Sequence, residues 1–163
     1  MRRAVPLLVV VLVSTARAAT YTLATAGGDF TSIQAALNTT VAGDTVQVRD
    51  TGSPWFEKVA FSRSGNAVDG PIVLTAYPGE HPILDGTGVP GDDMVHIEDR
   101  SWITVSGLEL RNNLGLHGGS GIRVLGAGSH VTLRDNVIHY MRGANAMAIT
   151  VFATEPRASG TLS

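Results

Sequence analysis

The 163-residue chain contains no cysteine. Disulfide staples and thiolate-held zinc or iron-sulfur sites are therefore excluded, and the fold must rest on burial of a core. Charge is scarce as well, since Lys, Arg, Asp and Glu together make up 16% of the residues. Three of the basic residues, Arg2, Arg3 and Arg17, fall in the leading segment, which leaves 9 basic against 14 acidic residues and a formal charge of −5. A domain with that balance and without lysine-arginine runs is unsuited to nucleic acid or to an anionic membrane. Long apolar runs are missing too. The longest, Ala4 to Val13, is ten residues interrupted by Pro6, about half of what a membrane-crossing helix needs. What the chain does have is 44% hydrophobic residues and 19 glycines, a composition that argues against disorder and for a turn-rich, mostly β domain.

The first residues have their own logic. Met1-Arg2-Arg3 is a short basic start, the apolar run follows, and Ala16-Arg17-Ala18 places small residues where a signal peptidase cuts. Residues 1–18 read as a secretory signal peptide and 19–163 as one domain that is secreted, extracellular or periplasmic.

A helix is expected once, over Asp29 to Thr40. Thr31 and Gln34 have the spacing of a capping box, Phe30 can staple onto Ala35, and Ile33, Ala36 and Leu37 form one apolar stripe. After Asp44 the pattern changes to short alternating runs bounded by Gly, Pro, Asn and Asp. These runs repeat. Val95-His96-Ile97, Ile122-Arg123-Val124 and Ile149-Thr150-Val151 are spaced by 27 and 27 residues, and Ile103-Thr104-Val105 recurs as Val131-Thr132-Leu133 after 28. Leu108-Glu109-Leu110 and Val137-Ile138 lie between them. Val59-Ala60-Phe61, Ile72-Val73-Leu74 and Ile83-Leu84-Asp85 form an earlier, looser copy. Three strands per turn at this period describe a parallel β-solenoid of three to four coils, its first coil covered by the helix. A β-sandwich is the rival, but antiparallel pairing gives no reason for equal spacing of equivalent strands. The recurring positions Ile97, Val105, Leu110, Ile122, Val124 and Val131 are the expected core.

The segments "GDFTSIQAAL" (28–37), "GDTVQV" (43–48), "PWFEKVAF" (54–61), "GPIVLTAYPGEHPILDG" (70–86), "WITVSGLELRN" (102–112) and "HVTLRDNVIH" (130–139) resemble the N-terminal portion of the right-handed parallel β-helix proteins, nearest to the pectate-lyase-like members. The resemblance spans about residues 21–152. It implies an all-β, right-handed parallel β-helix, an extracellular setting and carbohydrate as the commonest substrate; the fold hosts lyases, hydrolases, esterases and adhesins alike, and among these β-elimination on an acidic polysaccharide is the expected function. Family enzymes are usually more than twice as long, so this chain is expected to be an N-terminal part, truncated at its C-terminus and inactive alone. No catalytic residue carries over by position.

If Val95 and Ile97 point inward, His96 and Glu98 point outward, and the same alternation sends Arg123 and Leu125, then Thr150 and Phe152, to the same face. His96, Glu98 and Arg123 are therefore the candidate substrate-binding residues: an arginine fork suits a sugar carboxylate and Phe152 suits a pyranose ring. The alternative is that Glu98 and Arg123 form an ordinary cross-strand ion pair. Asp92 and Asp93, with Glu98 and Asp99 beyond, are the densest carboxylate cluster and the candidate calcium ligands, although Gly91-Asp92-Asp93 is also ordinary turn chemistry. His117 is expected to be exposed in a glycine-rich loop. Asn136 is expected to be a turn residue within an inter-coil ladder. The classes left open are a calcium-assisted lyase, a non-catalytic glycan- or surface-binding module, and a pectin esterase whose paired aspartates are not visible. The protein is read as a monomer.

Overall fold

The computed structural model describes residues 17–154. All but the last two residues of the export signal read over 1–18 lie outside these, as does the tail 155–163. In chain order the elements are β1 (Thr20–Leu23), α1 (Ile33–Thr39), β2 (Thr45–Val48), β3 (Val59–Ala60), β4 (Ile72–Ala76), β5 (Ile83–Asp85), β6 (Val95–Glu98), β7 (Ile103–Ser106), β8 (Glu109–Arg111), β9 (Ile122–Gly126), β10 (Val131–Arg134), β11 (Val137–His139) and β12 (Ile149–Ala153).

Every strand pair is parallel, and the strands fall into three sheets ordered β1-β2-β4-β7-β10, β5-β8-β11 and β3-β6-β9-β12. The chain is a parallel β-solenoid of about five turns. The 27-residue offsets in the sequence are its register: Val95 lies beside Ile122, and Ile122 beside Ile149. The expectation of three to four coils falls short because β1 and β2 join the first sheet. The helix and irregular loops around them break the period, so they are invisible to a search for equal spacing.

The helix is shorter than expected and capped differently. Ser32, not Thr31, is the N-cap, its Oγ accepting from the Ala35 amide at 3.2 Å. The Glu57 carboxylate, from the segment leading into β3, accepts from the Ile33 and Gln34 amides at 3.0 and 3.1 Å and from the Ser32 hydroxyl at 2.9 Å. A negative charge there meets the positive helix end and satisfies two free amides at once. Gln34, released from the local capping box, instead uses its amide to grip both the N–H and the C=O of Ala60. Phe30 meets Tyr21 edge-on at 5.5 Å rather than stapling onto the helix. The apolar stripe is as expected: Ile33, Ala36 and Leu37 are buried, and α1 packs on β1, β2 and β3.

Inside the coils Ile97, Val105, Leu110 and Ile122 are fully buried, while Val124 and Val131 are only partly so. These two lie next to the last described coil, where Ile149 and Val151 are exposed, so the burial expected for them is incomplete.

The corners repeat as faithfully as the strands. Trp102 and His130, Asn112 and Tyr140, and Gly107 and Asp135 occupy equivalent places one coil apart, and all six have φ between 55° and 71°. The corner demands the left-handed conformation whatever residue stands there. Asn136, just past the Asp135 corner, clamps adjacent coils by accepting from the Leu108 amide at 3.2 Å and donating to the Val105 carbonyl at 3.0 Å, as its expected ladder role requires.

Two measurements follow from this architecture. Leu110→Ala should cost about 2–5 kcal/mol in urea unfolding and Val124→Ala clearly less, because only the first opens a sealed cavity. At the exposed corner, Asp135→Val should destabilise by about 1–2 kcal/mol while Asp135→Gly is neutral or stabilising. Equal effects of the two corner substitutions would mean that the left-handed turn is not what this position selects.

Candidate functional site

Register brings the outward residues of one sheet into columns. Ala60, His96, Arg123 and Thr150 are successive partners across β3, β6, β9 and β12, and Glu98, Leu125 and Phe152 form the next column. The outward face read from the sequence is thus assembled as expected, but its side chains are partnered differently.

Asp93 is at the centre. It is buried, and its Oδ2 lies 3.1 Å from His96 Nδ1, while its Oδ1 accepts from the Ser120 amide at 3.1 Å and stands 3.7 Å from Arg123 Nη1. The second ring nitrogen of His96 faces Glu98 Oε2 at 3.3 Å. His96 is therefore held between two carboxylates, one buried and one exposed. The Glu98–Arg123 pair considered from sequence is not the arrangement adopted: Glu98 turns to His96, and Arg123 turns to Asp93.

Asp92 works beside it. Its Oδ1 accepts from the His117 and Leu116 amides at 3.1 and 2.8 Å, and its Oδ2 is 3.7 Å from His117 Nδ1. Those amides, with Lys58 nearby, outweigh the opposing effect of burial and hold the Asp92 carboxyl below the usual carboxylate range. Asp92 and Asp93 together pin the glycine-rich loop 115–121. Asn113, buried, adds to this by donating to the Asp92 and Ser120 carbonyls at 2.7 and 3.1 Å. Each carboxylate oxygen thus already faces an N–H donor or a ring nitrogen. Calcium needs about six to eight oxygen ligands, and among the described residues no group of three or more His, Cys, Asp or Glu is arranged to hold a metal. The candidate ligands Asp92 and Asp93 are engaged with loop amides through Oδ1 and face histidine ring nitrogens through Oδ2.

The Arg123 side chain makes no hydrogen bond among the described residues. Its Nε is buried without a partner, and its guanidinium lies 5.8 Å over the Phe152 ring. The loop backbone lies close against it, since a Cβ added to Gly118 would stand 2.7 Å from Nη1. Thr150, expected outward and available, is instead covered: its hydroxyl is bonded to that of Ser120 at 2.7 Å, and the residue is buried. His117 is exposed, as expected.

A groove of about 500 Å³ runs along this face, lined among others by Lys58, His96, Glu98 and Arg123. Lys58 escaped the sequence reading. Its Nζ donates to the Gly91 carbonyl at 2.5 Å, and burial lowers its pKa against the pull of Asp92 and Asp93. The signal was present, because Lys58 precedes Val59, which aligns with Val95. The looseness of that first copy hid it.

Comparison with protein-family models, curated proteins and solved structures finds no match for this chain.

A pH dependence of the loop follows from the depressed Asp92 carboxyl. Its anchoring is complete above the ordinary carboxylate pKa of about 4 and is lost as pH falls through the lower folded value. Amide hydrogen exchange at Leu116 and His117, corrected for its intrinsic pH dependence, should lose protection in that acid window, and Asp92→Ala should produce the same loss at neutral pH.

Proposed function

We propose that this protein acts on an acidic polysaccharide outside the cytoplasm, its chemistry being β-elimination at a uronate, as the resemblance to pectate-lyase-like proteins implies. The observation that carries the reading is Arg123, a half-buried guanidinium without a hydrogen bond among the described residues, one coil above a histidine whose orientation is set by a buried aspartate. A uronate carboxylate fits the guanidinium in two-point fashion. Neutralising that carboxylate acidifies the adjacent C5–H bond. With Nδ1–H donated to Asp93, His96 Nε2 has the lone pair to take the C5 proton. The C5–H electron pair then forms the C4–C5 double bond as the C4–O4 bond breaks, and O4 takes a proton from Lys58 or from water. In these steps the Arg123 guanidinium takes the charge-neutralising role that a calcium ion would otherwise supply.

One observation favours a second reading, a non-catalytic glycan-binding module: Glu98 stands 3.3 Å from the nitrogen that must receive the proton, so turnover requires it to swing aside. Binding and turnover are separable. On polygalacturonate or alginate, and against the expectation from family length that the chain is inactive alone, elimination should appear as ultraviolet absorbance of the unsaturated product, insensitive to chelator and abolished by His96→Ala. Arg123→Ala should weaken oligouronate binding roughly tenfold to a hundredfold, the worth of a charge-assisted contact of about 1.5–3 kcal/mol. Arg134→Ala, exposed on another sheet, should change nothing, and added salt should weaken binding. Binding without absorbance selects the second reading, and the absence of binding overturns both.

A further inference from the structure

The Ala19 N–H donates to Asp44 Oδ1 at 2.8 Å, across 25 positions of sequence. The small residues of Ala16-Arg17-Ala18 put a signal-peptidase cut at that same nitrogen. We infer that removal of residues 1–18 turns the Ala19 nitrogen into an ammonium that pairs with the buried Asp44 carboxylate, so that processing itself locks the first strand of the solenoid. The lock is independent of any glycan chemistry and rests on the reading of residues 1–18 as an export signal.

Burial of charge points to it first. Three carboxylates are buried among the described residues, those of Asp44, Asp85 and Asp93. Asp85 faces Arg111 at 2.9 Å, and Asp93 faces His96 at 3.1 Å and Arg123 at 3.7 Å. Asp44 is the most deeply buried of the three, at 1% exposure, yet it forms no ion pair with a described side chain. A carboxylate sealed from water without a cation is costly. The charged groups on adjoining segments are engaged elsewhere: Arg63 donates to the Thr39 and Thr40 carbonyls, and the Asp69 carboxylate accepts from Asn66.

The geometry is built for one more donor. Asp44 Oδ2 accepts from the Val41 amide at 2.9 Å and closes the turn after α1, a task for a single oxygen. Oδ1 is left for Ala19. That residue is held from its other side as well, because its carbonyl accepts from the Thr45 amide at 2.8 Å and the next residue, Thr20, pairs with Thr45 in register. Arg17 and Ala18 are exposed, whereas Ala19 is half-buried, so what the cut removes lies outside the lock. Hydrolysis delivers the water oxygen to the Ala18 carbonyl carbon, the C–N bond breaks, and both water hydrogens end on the Ala19 nitrogen. The products are an Ala18 carboxylate and an Ala19 –NH₃⁺. One neutral donor thereby becomes a cation, and a hydrogen bond between two charged groups is roughly twice as strong as a neutral one.

The test starts from the full chain expressed in a secreting host, with N-terminal sequencing of the exported product, which should begin at Ala19. In that product the α-amino group of Ala19, followed by NMR, should titrate well above the ordinary range of about 7.7–8.0, and in Asp44→Asn it should return to it. A chain that begins at Arg17 carries only a neutral amide at Ala19. Its unfolding midpoint at pH 7 should lie about 3–9 °C below that of the processed chain. A raised folded pKa stabilises fully below the ordinary value, so the difference should vanish as pH rises through the raised one. This comparison needs no substitution at Asp44, so a folding defect in Asp44→Asn does not blunt it. A product that begins at Ala19 but titrates in the ordinary range, or equal midpoints for the two chains, overturns the lock and leaves the export reading standing. An uncut chain, or a cut elsewhere, overturns both the lock and the 1–18 boundary.

Discussion

An amide in β9 finds its carbonyl one coil away, in β6 or β12, because a strand of two to five residues has no partner within its own coil. Parallel stacking is the constraint that everything else obeys. Each strand sets the register of the next, so a residue stands about 4.8 Å from its counterpart in the neighbouring coil. Inward columns become a continuous core, outward columns become ladders, and corners must share one backbone conformation. The left-handed φ at Trp102, Asn112, His130, Asp135 and Tyr140 is this constraint overriding the ordinary steric preference of side chains that carry a Cβ.

The same stacking decides what the acidic residues do. Asp92 and Asp93 enter β6 in a column whose next member is the loop 115–121, and that loop presents a run of amides with no strand to pair with. Carboxylates beside free amides accept from them, as Glu57 does at the end of α1. The two sites are one device used twice: a side-chain carboxylate satisfies backbone donors that the solenoid leaves over. What remains unsatisfied is Arg123, because Asp93, its nearest anion, is committed to Ser120 and His96. The proposed function rests on that remainder.

The stack is not equally firm throughout. Among the described residues β12 has a partner on one side only, and its inward residues Ile149 and Val151 are 45% and 62% exposed. Local opening is easiest where buried apolar contacts are fewest. Phe152 rides on that strand, whereas His96 and Asp93 sit on β6, between β3 and β9. β12, with Phe152, is therefore expected to open before β6, with His96.

The sequence by itself determined the parallel solenoid, the strands from β3 onward, the apolar stripe of the helix and the His96–Arg123 column, because period-two alternation and a 27-residue repeat are local patterns that survive without knowledge of contacts. Tertiary structure decided what those patterns cannot carry. The added turn from β1 and β2, the capping of α1 by Glu57, the covering of Thr150 by Ser120 and the commitment of Asp92 and Asp93 to loop amides all join residues about 20 to 30 positions apart or outside the regular period. A column is fixed by counting along the chain. The partner a side chain chooses depends on which donors the neighbouring coil has left unpaired, and that is a property of the stack as a whole.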